Sequence, residues 1–401
     1  MHIAWLGKKS PFCGNVTYSR EVTNALLERG HHVSFLHFAQ DASPFENPLL
    51  SSRGSAIASH TEDRSWPSCP EVPLPCLYKS TLYTIPTFKS SKVLAQSLRQ
   101  LKPDLVHASL TLSPLDFLLP EICEELNLPL VATFHPPFDR KRSTLTASTQ
   151  HLTYQLYAPF LAHYDRTIVF SHIQRDILVR LGVPPHRVAV IPNGVDALKY
   201  SPGPSNLKAE LNAGRIFVYQ GRIALEKNVE ALLKAWKQSE MGSDSKLLIV
   251  GDGPLASSLM ASYGSESGIL WFGFVGNERQ RINILRGSDV FILPSLVEGL
   301  SLSLLEAMAC GLASVATDAG ADGEALADGA GVILNPQRVT AQLQTLLPLF
   351  RDHPEMTGLL GYKARQRVLE RYTLSKNITE LEAMYEGVLQ YPVPVSNTNW
   401  V

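Results

Sequence analysis

Short runs of apolar residues alternate along the chain with segments whose apolar residues recur at helical spacing. In the first half, these runs are residues 2–6, 32–38, 105–108, 130–134, 167–170 and 188–191. In the second half, they are residues 216–219, 247–250, 270–272, 290–293, 314–317 and 331–334. Continuous apolar runs are typical of parallel strands that helices cover on both faces. The pattern therefore predicts an α/β protein with doubly wound parallel sheets.

The runs form two groups with a joint near residues 192–204, which predicts two Rossmann-like domains that face a cleft. We place them at residues 1–195 and 196–364. Residues 41–75 are polar and rich in Ser and Pro, so we predict a long loop or a partly disordered segment there. Residues 354–390 have a helical pattern, and we expect residues 391–401 to form a loose tail.

The amino-acid composition limits the classes of protein and the cellular compartments to which the chain could belong. The 401 residues are 45% hydrophobic and 18% charged with a net charge of −1, which gives no general attraction to nucleic acid. No apolar run is long enough to predict a transmembrane helix, and the first strand begins without a basic signal segment. The five cysteines lack zinc-ligand spacing, so we expect a reduced, cytoplasmic protein. Cys69 and Cys76 could pair, but free thiols are favoured.

Two carboxylates stand eight residues apart at the end of one apolar run. Glu298 follows that run, and Glu306 lies on the helix predicted after it. The turn at Gly299 can hold Glu298 above the helix N-terminus, where free N–H groups favour an anionic ligand. One carboxylate beside a reacting sugar and another on a ribose could hold a nucleotide sugar. The alternative is two ordinary glutamates on a surface helix.

Two cations follow the run at residues 216–219. Arg222 supplies a planar fork of donors and Lys227 a compact charge, a combination that suits a diphosphate. A solvated surface pair is the alternative. Between these cations and the carboxylates, Gly251 and Gly253 end another predicted strand and allow backbone to approach a ligand closely.

Taken together, these motifs resemble the family-4 retaining glycosyltransferases of the GT-B fold. The resemblance covers nearly the whole chain in the expected order. It rests on Phe12-Cys13-Gly14-Asn15, Asp104-Leu105-Val106-His107, Thr133-Phe134-His135, Pro192-Asn193-Gly194-Val195-Asp196, Gly221-Arg222 with Glu226-Lys227, Gly251-Asp252-Gly253-Pro254, Phe272-Gly273-Phe274-Val275 and Glu298/Glu306 followed by Ala307-Met308-Ala309-Cys310-Gly311. It implies that the second domain binds the donor and that a C-terminal helix, about residues 365–390, packs back on the first domain.

The resemblance also implies roles for the donor residues. Arg222 and Lys227 hold the diphosphate and stabilise charge on the leaving group. Glu306 binds the ribose hydroxyls, and Glu298 binds hydroxyls of the transferred sugar. The remaining expected donor contacts are the N–H groups of Gly299, Leu300 and Ser301, and the close approach allowed by Gly14 and Asn15.

Three residues of the first domain are candidates beside the reacting sugar. By resemblance, His135 faces that sugar and orients it or accepts a hydrogen bond; a structural histidine at a strand end is the alternative. For His107 we favour a structural or supporting role. Asp139 either contributes to the site or pairs with Arg140, and the sequence leaves both open.

The implied mechanism retains the anomeric configuration without a protein nucleophile. The nucleoside diphosphate leaves from the face that the acceptor hydroxyl enters, and a donor phosphate oxygen takes the proton. Positioning and electrostatics would supply most of the catalysis. The chain has no Asp-x-Asp sequence, so we expect no metal and no other cofactor; Arg222 and Lys227 would replace the metal.

The acceptor is harder to predict. Residues 77–92 interleave aromatic residues with lysines, which suits a membrane interface, and residues 140–142 add a basic cluster near His135. The alternative is a loop followed by an ordinary helix with a solvated basic face. If the membrane hypothesis holds, the chain resembles bacterial glycolipid synthases of the digalactosyldiacylglycerol type. Otherwise the acceptor is a soluble sugar or a polysaccharide precursor. UDP is the default donor nucleotide of the family.

Three other classes of protein fit the sequence less well. A dehydrogenase is disfavoured because the first loop is not Gly-x-Gly-x-x-Gly and no acidic residue ends the second strand. A nucleotide-sugar epimerase of the same fold remains an alternative, although the Glu298/Glu306 spacing is less expected in that class. A non-catalytic binding module is disfavoured because each expected donor position holds a suitable residue.

Overall fold

Among the residues that the structure describes, the first half of the chain forms an eight-stranded sheet with five helices. The computed structural model describes residues 1–40, 66, 68–138, 145–264 and 267–390, with residues 145–149 as backbone only. The strands are β1 (His2–Gly7), β2 (His32–Gln40), β3 (Glu71–Lys79), β4 (Thr84–Pro86), β5 (Leu105–Ser109), β6 (Leu130–Thr133), β7 (Arg166–Val169) and β8 (Val188–Val190). Their order is β4-β3-β2-β1-β5-β6-β7-β8, and all neighbours are parallel except β3 and β4. The helices are α1 (Gly14–Glu28), α2 (Ser90–Leu101), α3 (Leu115–Glu125), α4 (Leu145–Leu161) and α5 (His172–Arg180).

Within its described ranges, the second half forms a six-stranded parallel sheet. Its strands are β9 (Arg215–Gln220), β10 (Ser245–Val250), β11 (Ile269–Gly273), β12 (Val290–Leu293), β13 (Ala313–Thr317) and β14 (Val332–Leu334), in the order β11-β10-β9-β12-β13-β14. The helices of this half are α6 (Leu207–Glu210), α7 (Val229–Gln238), α8 (Ala256–Ser262), α9 (Glu278–Gly287), α10 (Leu302–Ala309), α11 (Asp322–Ala325), α12 (Val339–Asp352), α13 (Pro354–Arg371) and α14 (Leu374–Gln390). Short 3-10 turns lie at Pro185–Arg187, Leu225–Lys227 and Ala327–Gly329.

All twelve predicted strands are present, and the predicted doubly wound α/β architecture is confirmed. The central strands β5, β6, β12 and β13 are buried along their whole length, because helices cover both faces of each sheet. In such sheets, ligands bind in the crevice beyond the carboxyl ends of the strands. The loops after β1, β5, β6, β9 and β12 are therefore the places to seek a site.

The predicted loop at residues 41–75 is wrong at its C-terminal end, because residues 71–75 belong to β3. Pro73 and Pro75 lack the N–H group that strands normally use, which hid this strand in the sequence. The strand tolerates both prolines because the short edge strand β4 pairs with β3 only from Cys76 to Lys79, beyond Pro73 and Pro75. Residues 41–65 lie outside the described part of the chain.

The helical pattern at residues 354–390 divides into two helices with different partners. α13 packs against α10 and β13 of the second sheet, whereas α14 packs against α1 of the first. The helix predicted to cross at about residue 365 therefore crosses only after Arg371. Arg365 explains the difference, since its guanidinium donates to the carbonyls of Tyr200 and Ala309 and fixes α13 to the second half. The predicted tail at 391–401 lies outside the described residues.

The chain crosses between the two halves twice, near Val195 and near Tyr372, and these two segments lie side by side. The Val195 N–H donates to the Tyr372 carbonyl at 2.8 Å, and the Leu374 N–H donates to the Val195 carbonyl at 2.9 Å. A Cβ added at Gly194 would lie 2.7 Å from Cα of Leu374, so only glycine permits this approach. The same junction supports the cleft, because the Asn193 side-chain amide donates to the Leu300 carbonyl at 2.9 Å.

None of the described helices is both long enough and apolar enough to cross a membrane.

Candidate active site

Lys227 and Glu298 meet at the carboxyl ends of β9 and β12. The Lys227 Nζ atom lies 2.5 Å from Oε1 of Glu298, and their side chains are 21% and 10% exposed. Lys227 closes the 3-10 turn Leu225–Lys227, and Glu298 lies in the loop that leads into α10. The two charges therefore neutralise each other at the base of the cleft, on the side where the donor was predicted to bind.

A second loop holds the Glu298 loop from behind. The Ala321 N–H donates to the Gly299 carbonyl at 2.6 Å, and a Cβ at Gly320 would collide with the carbonyl oxygens of Glu298 and Gly299. Gly320 has φ of +57°, so both conformation and space require glycine there. The backbone that carries Glu298 is thus fixed by close contact with the loop after β13.

Asp322 is the buried carboxyl beneath this loop. Its Oδ1 accepts the Ser301 N–H at 2.8 Å, while its Oδ2 has no hydrogen-bond partner within the described ranges. Burial raises the pKa of Asp322 well above its ordinary value, and nearby Glu298 acts in the same direction. The Ser301 N–H is thus already bonded to Asp322, and the Ser301 hydroxyl caps α10. Of the three N–H groups expected to contact a ligand, those of Gly299 and Leu300 therefore remain candidates.

Glu306 lies one turn inside α10, below the end of β9. Its Oε2 accepts from the Gln220 side chain at 2.9 Å. Burial raises the pKa of Glu306 to about 7; Glu278 adds to this effect and Arg281 opposes it. The sequence predicts that Glu306 binds a ribose. In the structure, Glu306 lies on α10, the helix that follows the Glu298 loop.

Arg222 reaches across the cleft. Its Nη1 donates to the Thr81 hydroxyl of the first half at 3.1 Å, and its Nη2 lies 3.3 Å from Oε1 of Glu226. The side chain is 39% exposed. Arg222 therefore remains accessible from the cleft, and Thr81 is a partner that sequence reasoning missed.

In the first half, His135 belongs to a hydrogen-bonded chain of polar side chains. Its Nε2 lies 2.8 Å from the Ser109 hydroxyl, which lies 3.0 Å from Oδ1 of Asn15. The Asn15 amide nitrogen donates to the Leu110 carbonyl at 2.9 Å. Burial, followed by the charge of Lys8, lowers the pKa of His135 to about 3, so its imidazole is neutral at physiological pH.

Gly14 is the first residue of α1 and faces open space. No heavy atom lies within 4 Å of a Cβ placed on it. Its absence of a side chain is therefore not required by protein packing, unlike that of Gly194 or Gly320. This fits the prediction that Gly14 leaves room for a ligand.

His107, by contrast, is part of the core. It is fully buried, with Nδ1 2.5 Å from the Tyr385 hydroxyl and Nε2 2.8 Å from the Thr133 hydroxyl. Because Tyr385 belongs to α14, His107 fastens the crossing helix to the first sheet. This is the structural role that the sequence favoured.

The two halves of the site touch through backbone. The Phe138 N–H donates to the Glu298 carbonyl at 3.4 Å, and a Cβ at Gly299 would lie 3.8 Å from the His135 carbonyl oxygen. The loop of His135 is thus adjacent to the loop of Glu298 across the cleft. Asp139 and the basic cluster at residues 140–142 lie outside the described residues.

The structure therefore gathers the predicted residues into one cleft in two groups. The second half contributes Arg222, Lys227, Glu298, Gly299, Leu300, Ser301 and Glu306; the first contributes Gly14, Asn15 and His135. Sequence reasoning missed Ser109, Thr81 and Asp322. Asp322 had a signal, since it lies in the Gly-rich segment Ala319-Gly320-Ala321-Asp322-Gly323, but Ser109 ends an ordinary apolar strand. Across the described ranges, no cluster of three His, Cys, Asp or Glu side chains could hold a metal ion.

Two family models match the chain in succession. Residues 13–197 match Glycosyltransferase Family 4, and residues 207–367 match Glycosyl transferases group 1. This chain belongs to the family-4 glycosyltransferases. The predicted family is thereby confirmed, and the two matches correspond to the halves that carry the two sheets.

Among curated relatives, an Escherichia coli UDP-Gal:alpha-D-GlcNAc-diphosphoundecaprenol alpha-1,3-galactosyltransferase is 26% identical over 58% of this chain and 63% of its own length. A Bacillus anthracis N-acetyl-alpha-D-glucosaminyl L-malate synthase is 29% identical over 44% of this chain and 46% of its own. The matches thus span less than two thirds of these relatives.

A solved structure shares the whole fold. Anabaena HepE in complex with UDP superposes with a TM-score of 0.74 at 15% identity, covering 96% of this chain and 100% of HepE. Its complex with UDP-glucose gives a TM-score of 0.73 at 16% identity over the same shares. At this identity the likeness shows the fold alone, and it confirms the GT-B architecture.

Proposed function

We propose that this chain transfers a hexose from a UDP-sugar to a hydroxyl of a membrane glycolipid, with retention of the anomeric configuration. The observation that carries the proposal is the Lys227–Glu298 pair, which lies beside the His135 loop in the cleft between two Rossmann-like halves. When a donor binds, the cation of this pair can move to the diphosphate and the carboxylate can accept hydrogen bonds from the sugar. The ligands of HepE, UDP and UDP-glucose, agree with this donor class.

In this proposal, donor binding exchanges partners within the site. Lys227 moves from Glu298 to the diphosphate, and Arg222 exchanges Thr81 for the same group. Glu298 is then free to accept hydrogen bonds from hydroxyls of the sugar. Since the cations contact oxygens that gain charge as the bond breaks, their effect is largest in the transition state.

Catalysis would follow from position rather than from a protein nucleophile. The neutral imidazole of His135 accepts a hydrogen bond from a sugar hydroxyl, and the acceptor hydroxyl attacks from the face that UDP leaves. The new glycosidic bond forms as the sugar–phosphate bond breaks, and the acceptor proton passes to a phosphate oxygen of the departing UDP. No metal or other cofactor is needed in this scheme.

The proposed acceptor rests on an exposed apolar face of the first half. Leu77, Leu82, Ile85 and Phe88, which together we call the hairpin face, lie in the β3–β4 hairpin and the turn after it, with exposed fractions of 65%, 66%, 40% and 103%. Lys89 and Lys92 are exposed at the start of α2 beside it. Apolar side chains flanked by cations suit the surface of an anionic membrane. The name of the E. coli relative specifies an acceptor on diphosphoundecaprenol, which is also a lipid.

A soluble acceptor is the second candidate. The Bacillus anthracis relative is named for an L-malate acceptor, so members with this architecture are not confined to lipids. Under this alternative, the hairpin face would bind no membrane and the acceptor would be a sugar or a polysaccharide precursor.

The test is to incubate the protein with 14C-labelled UDP-hexoses and a bacterial lipid extract, without added metal, and to partition the products. We expect label in the organic phase, an α linkage by NMR spectroscopy from an α-linked donor, and loss of transfer in Lys227→Met. Label only in soluble glycans would contradict the lipid acceptor. An inverted linkage would contradict retention, and failure with every UDP-hexose would contradict the donor.

A further inference from the structure

The hydrogen-bonded side chains of Asn15, Ser109 and His135 determine which atom donates and which accepts at each contact. The Asn15 amide nitrogen donates to the Leu110 carbonyl, and this fixes the orientation of the amide. The atom that faces Ser109 is therefore Oδ1, which can only accept. The Ser109 hydroxyl, 3.0 Å away, therefore donates its single proton to that oxygen. Because the only hydrogen of the Ser109 hydroxyl is used in this bond, Ser109 can only accept a hydrogen bond from a further partner.

That further partner is Nε2 of His135, at 2.8 Å from Ser109 Oγ. Since the hydroxyl accepts, Nε2 must carry the hydrogen. A neutral imidazole with hydrogen on Nε2 has a bare lone pair on Nδ1, so Nδ1 is an acceptor by valence. The order of donors and acceptors therefore runs from His135 to Ser109 to Asn15.

We infer that Ser109 is a positioning residue that holds His135 as the Nε2–H tautomer and so presents Nδ1 as an acceptor for a ligand hydroxyl. The assignment of a sugar hydroxyl to Nδ1 rests on the proposed function, whereas the tautomer itself does not.

Aromatic side chains fix the plane of the same ring. Tyr18 meets His135 edge to face with ring centroids 5.1 Å apart, and Phe170 lies at 5.4 Å. Ser109 is 1% exposed, so water does not compete for its hydrogen bonds, whereas His135 keeps partial exposure. A ring with both its plane and its tautomer fixed is pre-organised to accept one hydrogen bond.

The chemical consequence is selective. An acceptor at Nδ1 receives a hydrogen bond from an O–H group, whereas the opposite tautomer would offer an N–H donor, so that the hydroxyl would have to accept and turn its own hydrogen away from the ring. A wrong tautomer weakens the contact with a hydroxyl while leaving the phosphate contacts of the second half intact. The loss therefore falls on the reacting sugar and not on UDP.

The experiment uses full-length protein labelled with 15N histidine, without substrate. Long-range proton–nitrogen correlation spectra distinguish the two tautomers, and His135→Gln identifies the signals of His135 among the twelve histidines. We expect the wild type to show hydrogen on Nε2. Hydrogen on Nδ1 would overturn the inference.

Ser109→Ala tests the cause. This variant should give a mixture of His135 tautomers, and kcat should fall by about fivefold, the value of one ordinary hydrogen bond, with unchanged affinity for UDP. Ser109→Thr, which keeps the hydroxyl, should restore the single tautomer. A single Nε2–H tautomer in Ser109→Ala would show that another group sets it, and would overturn the role of Ser109.

Two controls keep the result interpretable. Ser19→Ala removes a hydroxyl that lies 3.2 Å from Ser109 Oγ and 3.5 Å from Asn15 Oδ1. The shorter hydrogen bond from Ser109 to Asn15, at 3.0 Å, is retained in this variant, so the tautomer should persist. The His107 signals report whether the core around β5 is intact, because both His107 nitrogens are hydrogen-bonded. If the Nε2–H tautomer is found but no hexose is transferred, the proposed function fails while the assignment to Ser109 stands.

Discussion

The Nζ atom of Lys227 lies 2.5 Å from Oε1 of Glu298, although the two residues were predicted to hold different parts of a donor. In the cleft, each residue therefore compensates the charge of the other. Both side chains are largely buried, so this contact is more than a screened surface pair. A diphosphate that enters the cleft must compete with Glu298 for Lys227.

The first prediction concerns this pair. Lys227→Met should lower the free energy of unfolding by about 3 kcal/mol, because it leaves Glu298 buried and unpaired. The double variant with Glu298→Gln should recover most of that loss. Both variants should lose about 100-fold or more in kcat/KM, since each lacks a group placed at developing charge or at the sugar. Urea unfolding and initial rates provide the two measurements.

The matched control is Lys234→Met, which breaks a pair with Glu230 whose side chains are both 51% exposed. It should leave stability and turnover unchanged. If Lys227→Met is as stable and as active as this control, Lys227 and Glu298 are not coupled and the site assignment fails.

The second prediction concerns Gly14. Gly14→Val should fold normally, because nothing lies within 4 Å of the added Cβ, but should weaken UDP binding by about tenfold or more. The reason is that the new methyl groups would fill space kept for the donor. Gly358→Val is the control, since Gly358 is also a helical glycine facing open space, on α13. Calorimetric titration with UDP should separate the two, and equal affinities would refute the role of Gly14.

The third prediction follows from the raised pKa of Glu306. The unfolded chain loses this proton near its ordinary pKa of 4.5, whereas the folded chain keeps it until about 7. Between these values the folded state binds more protons, so stability relative to Glu306→Gln should fall as pH rises and level off above about pH 8. The slope cannot exceed about 1.4 kcal/mol per pH unit. Urea unfolding of both proteins at several pH values checks this, and a difference that rises with pH would be inconsistent with it.

The fourth prediction concerns the hairpin face. Leu82→Asp and Phe88→Asp should abolish sedimentation with anionic phospholipid vesicles, because each places a negative charge where apolar side chains would enter the membrane. Leu359→Asp makes the same change at a 57% exposed residue of α13 and should leave sedimentation intact. A wild-type protein that stays in solution with these vesicles would remove the support for a lipid acceptor.

Particular residues show how far the sequence reaches. β12 and β13 were predictable because strands buried on both faces are apolar throughout. β3 was not, because its two prolines and polar surroundings imitate a loop, and its pairing with β2 comes from distant residues. The break before α14 was hidden for a similar reason, since Arg365 holds α13 through carbonyls far away in the sequence.

The site shows the same limit. Glu298, Glu306, Arg222 and Lys227 were recognisable from short motifs at strand ends. The contact between Lys227 and Glu298 was not, because it joins residues 71 positions apart. Nor was the Ser109–His135 contact, which depends on β5 and β6 lying side by side. Motifs in the sequence indicated which residues gather at the cleft, whereas their pairing depends on the neighbours of each strand.

The most direct test of a nucleotide-sugar site is the distance between Lys227 Nζ and Glu298 Oε1 in a crystal structure with a bound UDP-hexose. We predict that the 2.5 Å contact opens, with Lys227 on the diphosphate and Glu298 on hydroxyls of the hexose. A UDP-hexose bound elsewhere, with the Lys227–Glu298 contact intact, would contradict it.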